Sequence, residues 1–486
     1  MIIYVIVLIF SLLFLLIAQS IILKTGWLII AIYTIVKMCQ YNQRFDDYDF
    51  EIKQIDETLS KRESIKEFEY YLTIDKSYNE VYNMIVGARD RIIYSAYACN
   101  VYTKIRGNET VASLFNSASN RGVDITIFYN TSEEYDNLKI ADLLEILDDS
   151  IHVITIEATE NINKLIQNMS KQKSYSFNHM KFLIADEYVL FGGCDIDPNE
   201  RLGYGVVNKS KYSWHEVSFR FKVSQSFIDW IDVFKKNNKK FKICNIEPPP
   251  LPFLQNKQEL NILCSMIKNS VDVLYIEHQL FAISLYSESS QLLIHTFTDR
   301  ISRSLNNNDN LKINILTNIS QDDEQSPFTQ LFSASTVMTG FNQLINLINK
   351  KTGFSRKHII DKINLLTLVD KNNYKIKVHS NLIITDDRDG EYHCIRTSSN
   401  LSDRSYGNNT CDIELGVYLT GTKVKTLLEE LIKLHINTYN EYLIPIANVH
   451  KIDIKSSLFY EFFTLLSTTH PASGNCNHLM KLKHER

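Results

Sequence analysis

The stretch His179-Met180-Lys181-Phe182-Leu183-Ile184-Ala185-Asp186, followed by Gly192-Gly193-Cys194-Asp195, returns two hundred positions later in altered form. The second copy is His379-Ser380-Asn381-Leu382-Ile383-Ile384-Thr385-Asp386, followed by Ser398-Ser399-Asn400 and then Asp403-Arg404-Ser405. Side chains alternate across a strand, so His179 shares a face with Lys181, and His379 with Asn381. One such pattern could be an accident. Two at matching places in a repeat point to a pair of histidines brought to one site.

The surroundings repeat as well. Residues 92–97 read as a buried strand, 111–120 as a helix and 123–129 as an alternating strand, with further strands at 151–156 and 182–185. Residues 273–276, 312–316 and 382–385 echo three of these in the second half. Strand, helix, strand order predicts an α/β fold, and 486 residues exceed what one core usually holds, so two lobes are expected. The boundaries read as a first lobe at 67–245, a proline-rich linker at 246–252 and a second lobe at 253–442, with a C-terminal extension at 443–486. Residues 227–234 and 424–439 carry apolar positions at helical spacing, and 200–214 and 305–310 read as surface loops.

These motifs resemble the phospholipase D superfamily, whose signature is His-x-Lys-x4-Asp followed by a small-residue turn and Asn or Asp. The first copy fits in full; the second departs at Asn381. Tyr275-Ile276-Glu277-His278-Gln279-Leu280-Phe281 resembles the Tyr-Ile-Glu-Asn-Gln-x-Phe element of the membrane-lipid branch, with His278 in place of Asn. Trp214-His215-Glu216-Val217 is similar to its Trp-His-Asp-Val stretch, and the run from Ser399 to Leu415 to its Ala-Asn-Ile-Asn-x-Arg-Ser through Glu-Ile element.

The resemblance implies a duplicated phospholipase D-like sandwich, two lobes about a pseudo-twofold axis. It implies His179 as the nucleophile that forms a phosphohistidine and His379 as general acid, then base, toward water or an acceptor alcohol. Lys181 would hold a non-bridging phosphate oxygen. Asp186 and Asp386 complete the catalytic motifs and are expected to fix the histidine strands rather than take protons. Asp195, Glu216, His278, Asn400 and Glu414 are expected to bind substrate or orient the histidines, Glu216 and Glu414 as ring partners. Asn381 is expected to give phosphate a neutral contact in place of an ionic one, and His278 to supply part of the missing charge. By that reading, Asn381→Lys raises turnover. No cofactor and no metal ion is expected.

The N-terminus adds a membrane. Residues 2–23 carry no charged side chain, matching the roughly 20 needed to cross hydrocarbon as a helix, and 27–36 form a shorter apolar stretch. Residues 1–38 thus read as a transmembrane anchor or hairpin and 39–66 as a polar juxtamembrane connector. Lys24, Lys37 and Arg44 flank the run on its C-terminal side, which places the catalytic body on the cytosolic side.

Composition excludes other classes. With 52 Lys plus Arg against 56 Asp plus Glu, no strongly basic nucleic-acid binder is indicated, and eight cysteines without a CxxC pair read as reduced thiols. The leading reading is a membrane-tethered phospholipase D or cardiolipin-synthase-like phosphatidyltransferase acting on phospholipid. A membrane-anchored nuclease and a membrane- or envelope-organising protein impaired through Asn381 are the alternatives.

Overall fold

The computed structural model describes residues 62–445, apart from 98, 131–139, 157–158, 162–173, 177, 193–194, 197–212, 237–247, 284–287, 319–326, 371, 373–374, 402, 407–411 and 440–442. The expected anchor, most of the connector, the C-terminal extension past Pro445 and the loop at 200–212 lie outside the described residues. No described helix is long and apolar enough to cross a membrane.

The first sheet is built from β1 (Glu69–Tyr71), β2 (Arg91–Ser95), β3 (Asp124–Asn130), β4 (His152–Ile156), β5 (Phe182–Ala185), β6 (Tyr188–Phe191) and β7 (Ser218–Lys222). Their order is β1-β7-β6-β5-β2-β3-β4. The second sheet contains β8 (Phe253–Leu254), β9 (Val273–His278), β10 (Lys312–Thr317), β11 (Ile363–Val369), β12 (Lys375–Ile376), β13 (Leu382–Asp386), β14 (Tyr392–Thr397), β15 (Gly416–Thr420) and β16 (Leu443–Pro445). It runs β8-β15-β14-β13-β9-β10-β11-β12, with β16 on the far side of β11. The shared part of the two orders is the same, strand for strand. In each, three strands are parallel (β2-β3-β4 and β9-β10-β11) and the motif strand joins them antiparallel.

Burial explains why the motif strands are apolar on both faces. Phe182 and Ile184 of β5 enter a core shared with Leu382 and Ile384 of β13, so the sheets pack face to face. Leu183 and Ala185 point the other way, into a core with α1 (Ile74–Gly87) and α2 (Val111–Asn120). Each buried Leu, Ile or Phe contributes about 1.5–3 kcal/mol, which fixes the strand register. α3 (Ile140–Ile146) follows β3, and α4 (Gln225–Lys236) inserts Phe227, Ile228 and Ile231 into the shared core. In the second half, α5 (Asn256–Asn269), α6 (Glu288–Asn307), α7 (Pro327–Thr352) and α8 (Arg356–Lys362) precede β11. The stretch expected to be a loop from Leu305 is instead the last turn of α6 as far as Asn307, because Leu305 is buried and holds the helix to the core. α9 (Asp403–Tyr406) follows the second motif. α10 (Thr422–Leu434) adds Val424, Leu427, Leu428 and Leu431 to the shared core and runs into one π-helical turn, His435–Tyr439.

Candidate active site

Each motif histidine leads into its strand and meets the opposite lobe. The His179 N–H donates to the Ile413 carbonyl at 2.8 Å, and the His379 N–H donates to the His215 carbonyl at 2.8 Å. The acceptors sit immediately before Glu414 and Glu216. Those carboxylates hold the rings: His179 Nδ1 lies 2.8 Å from Glu414 Oε2, and His379 Nδ1 lies 2.6 Å from Glu216 Oε2. The contacts are reciprocal, as a local twofold demands.

Both glutamates are fully buried, and burial alone would raise their pKa. For Glu414, the charge and hydrogen bond of His179, with Lys181 and Ser398, outweigh burial and hold it at about 2. For Glu216 the counterweights are Arg396 and His379, again giving about 2. Ionised carboxylates only accept, so each ring carries its proton on Nδ1, and Nε2 lies on the side of the ring away from the glutamate.

Lys181 and Asp195 join the same place. Lys181 Nζ is 3.5 Å from Asp195 Oδ2, and the same oxygen is 3.8 Å from His379 Nε2. Asp195 Oδ1 accepts the Tyr97 N–H at 2.9 Å, which aims the carboxylate. Tyr97 packs edge-on to the His179 ring at 4.9 Å and lies under the Lys181 ammonium, while Trp214 packs on His379 at 5.3 Å. His179, Lys181, Asp195, His379, Glu216 and Glu414 are thus brought together across the two lobes.

Asn381 does not hang loose in the site. Its Oδ1 accepts the Gln279 N–H at 2.8 Å and its Nδ2 donates to the Ser398 carbonyl at 3.3 Å, so both ends of the amide are bonded to backbone. Nor does His278 supply charge. The ring is fully buried, and burial, reinforced by the Arg396 guanidinium, pushes its pKa down to about 3, which keeps it neutral. Neither of its nitrogens has a hydrogen-bond partner among the described residues. Asn400 places its N–H on Ser405 Oγ at 2.8 Å, and its side-chain oxygen is buried without a described partner.

Asp186 and Asp386 stand apart, at the far ends of the motif strands. Asp186 accepts the N–H groups of Arg89, Asp90 and Arg91, and Asp386 those of Val271, Asp272 and Val273, at 2.9–3.3 Å. Each clasps the turn that enters the neighbouring parallel strand. Both stand among the motif residues and are expected to fix the histidine strands, and their carboxylates bond here to backbone N–H groups beside the neighbouring strand.

Two residues lie in this network without having been singled out from sequence. Arg396 of β14, 1% exposed, donates to Glu216 Oε1 at 2.5 Å and to the Val217 carbonyl at 2.9 Å, reaching from the second lobe into the first. A cationic side chain inside the strand Tyr392–Thr397 was its only signal. Gly192 (φ 87°) gives it room, because a Cβ there would stand 2.7 Å from the guanidinium. Glu259 accepts from Tyr406, Thr397 and Ser399 behind the second motif, and burial raises it to about 7.

No family model and no curated protein matches the chain. Among solved structures it is similar to a phosphatidylserine synthase from Haemophilus influenzae Rd KW20, at 13% identity and a TM-score of 0.59, over 88% of this chain and 99% of that one. The likeness to the synthase is one of fold. A polyphosphate kinase from Porphyromonas gingivalis (9% identity, TM-score 0.45, 82% of this chain and 52% of that one) and a yeast tyrosyl-DNA phosphodiesterase (11%, 0.39, 72% and 90%) also match. Two histidines, a lysine and their acidic partners meet across the two halves, a set of side chains able to act as nucleophile, proton donor and cation.

Proposed function

We propose that the protein is a membrane-associated phosphatidyl hydrolase or transferase working through a phosphohistidine. The observation that carries this reading is the crossed pair of histidine–glutamate contacts, which engage Nδ1 of each ring and assign the chemistry to Nε2. His179 Nε2 attacks phosphorus with its lone pair, and the bond from phosphorus to the head-group oxygen breaks. His379 Nε2–H gives that oxygen its proton, then takes one from water or an alcohol, whose oxygen displaces His179. Lys181 stabilises the charge that grows on the phosphoryl oxygens.

Arg396 supports the His379 side in an unexpected way. The second motif lacks a lysine, yet a buried cation stands against Glu216 and keeps it ionised, so the general acid retains its partner. Lipid as substrate rests on the membrane-lipid motifs and on the apolar N-terminal run. The test is release of head group, and exchange with an added short alcohol, on mixed phospholipid vesicles, with His179→Ala as control. Nucleotide release from single-stranded DNA under the same conditions, without lipid turnover, selects the nuclease instead.

A further inference from the structure

His215, Glu277 and His435 form a second cluster of titratable groups that the catalytic reading does not use. His215 precedes Glu216, Glu277 lies on β9 and His435 opens the π-helical turn, a distortion that often marks function. Their exposures are 1%, 0% and 5%, so water does not screen what they do to one another. His215 Nε2 is 2.9 Å from Glu277 Oε2, and His435 Nε2 is 3.2 Å from Glu277 Oε1 and 3.4 Å from His215 Nε2.

The protons do not suffice for these contacts. Tyr275 Oη gives its single proton to Glu277 Oε1, so it can only accept from His435 Nδ1, 3.3 Å away. His435 therefore carries its proton on Nδ1 and turns the Nε2 lone pair toward a carboxylate oxygen, acceptor against acceptor. Adding a proton there would set two Nε2–H groups 3.4 Å apart, facing one another around one carboxylate. His215 Nδ1 meanwhile has no described partner. A cation among the three facing atoms removes the conflict.

We propose that His215 Nε2, His435 Nε2 and Glu277 bind a divalent transition-metal ion, zinc by preference. Zinc bonds of about 2.0–2.2 Å set tetrahedral ligand atoms about 3.2–3.6 Å apart, so the observed spacings need only small adjustment. Two imidazoles with one carboxylate suit zinc better than calcium or magnesium. The outer contacts are in place too: Tyr275 Oη receives the His435 Nδ1 proton, and Ser380 Oγ donates to Glu277 Oε2 at 2.7 Å. The burial of all three ligands marks a structural ion. Its ligands come from both halves, and the His215 carbonyl receives the His379 and Ser380 N–H groups, so the ion fixes the segment that carries the general acid. The ligands lie at positions 215, 277 and 435, too far apart for ligand spacing to reveal them.

The test is the metal content of the purified full-length chain, with Co2+ alone titrated into metal-stripped protein. About one zinc per chain, intense visible absorption of tetrahedral Co2+ and a higher Tm on zinc addition are expected. His435→Gln and Glu277→Gln should each lose the metal at least tenfold. A folded wild type with neither zinc nor a Co2+ band overturns the site, and so does a folded His435→Gln chain that keeps its zinc, which marks adventitious binding elsewhere. Should both variants fail to fold, X-ray absorption on the wild type decides. Two histidine nitrogens are expected around zinc, and sulfur ligation or no histidine contradicts the assignment.

Discussion

His179 of the first lobe is oriented by Glu414 of the second, 2.8 Å from its Nδ1, and the relation is returned by His379 and Glu216 at 2.6 Å. Neither half can orient its own histidine. Glu414→Gln keeps the shape but loses the ionised acceptor, and kcat should fall on the order of 100-fold with KM little changed. Glu216→Gln should fall similarly and also lose about 3–5 kcal/mol of stability, because Arg396 is left buried without its counter-charge. Denaturation midpoints beside steady-state kinetics separate the two effects.

The general acid sets the pH profile. Burial holds the His379 pKa below its ordinary 6.5, against the opposing pull of Glu216 and Asp195, and the Lys377 ammonium lowers it further. His379 must be protonated to donate, so kcat should decline about tenfold per pH unit once pH rises past that lowered value, giving an acidic optimum. Lys377→Ala should move this limb to higher pH. A profile flat from pH 5 to about 8 would remove His379 from the acid role.

Asn381→Lys should not raise turnover, contrary to what the motif alone suggests. The lysine would leave the Gln279 N–H without its acceptor, at about 1–3 kcal/mol, in a place where Arg396 already contacts the Asn381 carbonyl. Lower stability with unchanged or lower kcat is expected; a rise in kcat shows instead that the missing charge limits the reaction.

The clasps behave differently from the catalytic groups. Asp386→Ala frees three N–H groups at once and should cost about 2–4 kcal/mol, read as a shifted urea midpoint, while the folded fraction keeps near-normal kcat. A large loss of kcat in fully folded protein would return Asp386 to the chemistry.

The duplication was legible because strand alternation and the paired motifs place chemistry at the same point of each repeat. Strands such as Phe182–Ala185 and the helix Val111–Asn120 coincide with the segments read from sequence. The roles of Asn381 and His278 were not legible. Each depends on backbone groups or on a cation, Arg396, that only the folded lobes bring near. The long α6 and α7 also escaped, because their apolar positions are interrupted by polar side chains such as Asn342 and Gln343 that are themselves buried.

The phosphohistidine can be measured directly. Full-length protein is mixed with vesicles of radiolabelled phospholipid, quenched in alkali and digested, and the labelled peptide is sequenced. The label should sit on the peptide containing His179, vanish in His179→Ala, accumulate in His379→Ala when the leaving group needs no proton, and pass to an added short alcohol in the wild type. A wild type that turns over lipid with no label on His179, or with label on His379, contradicts the mechanism.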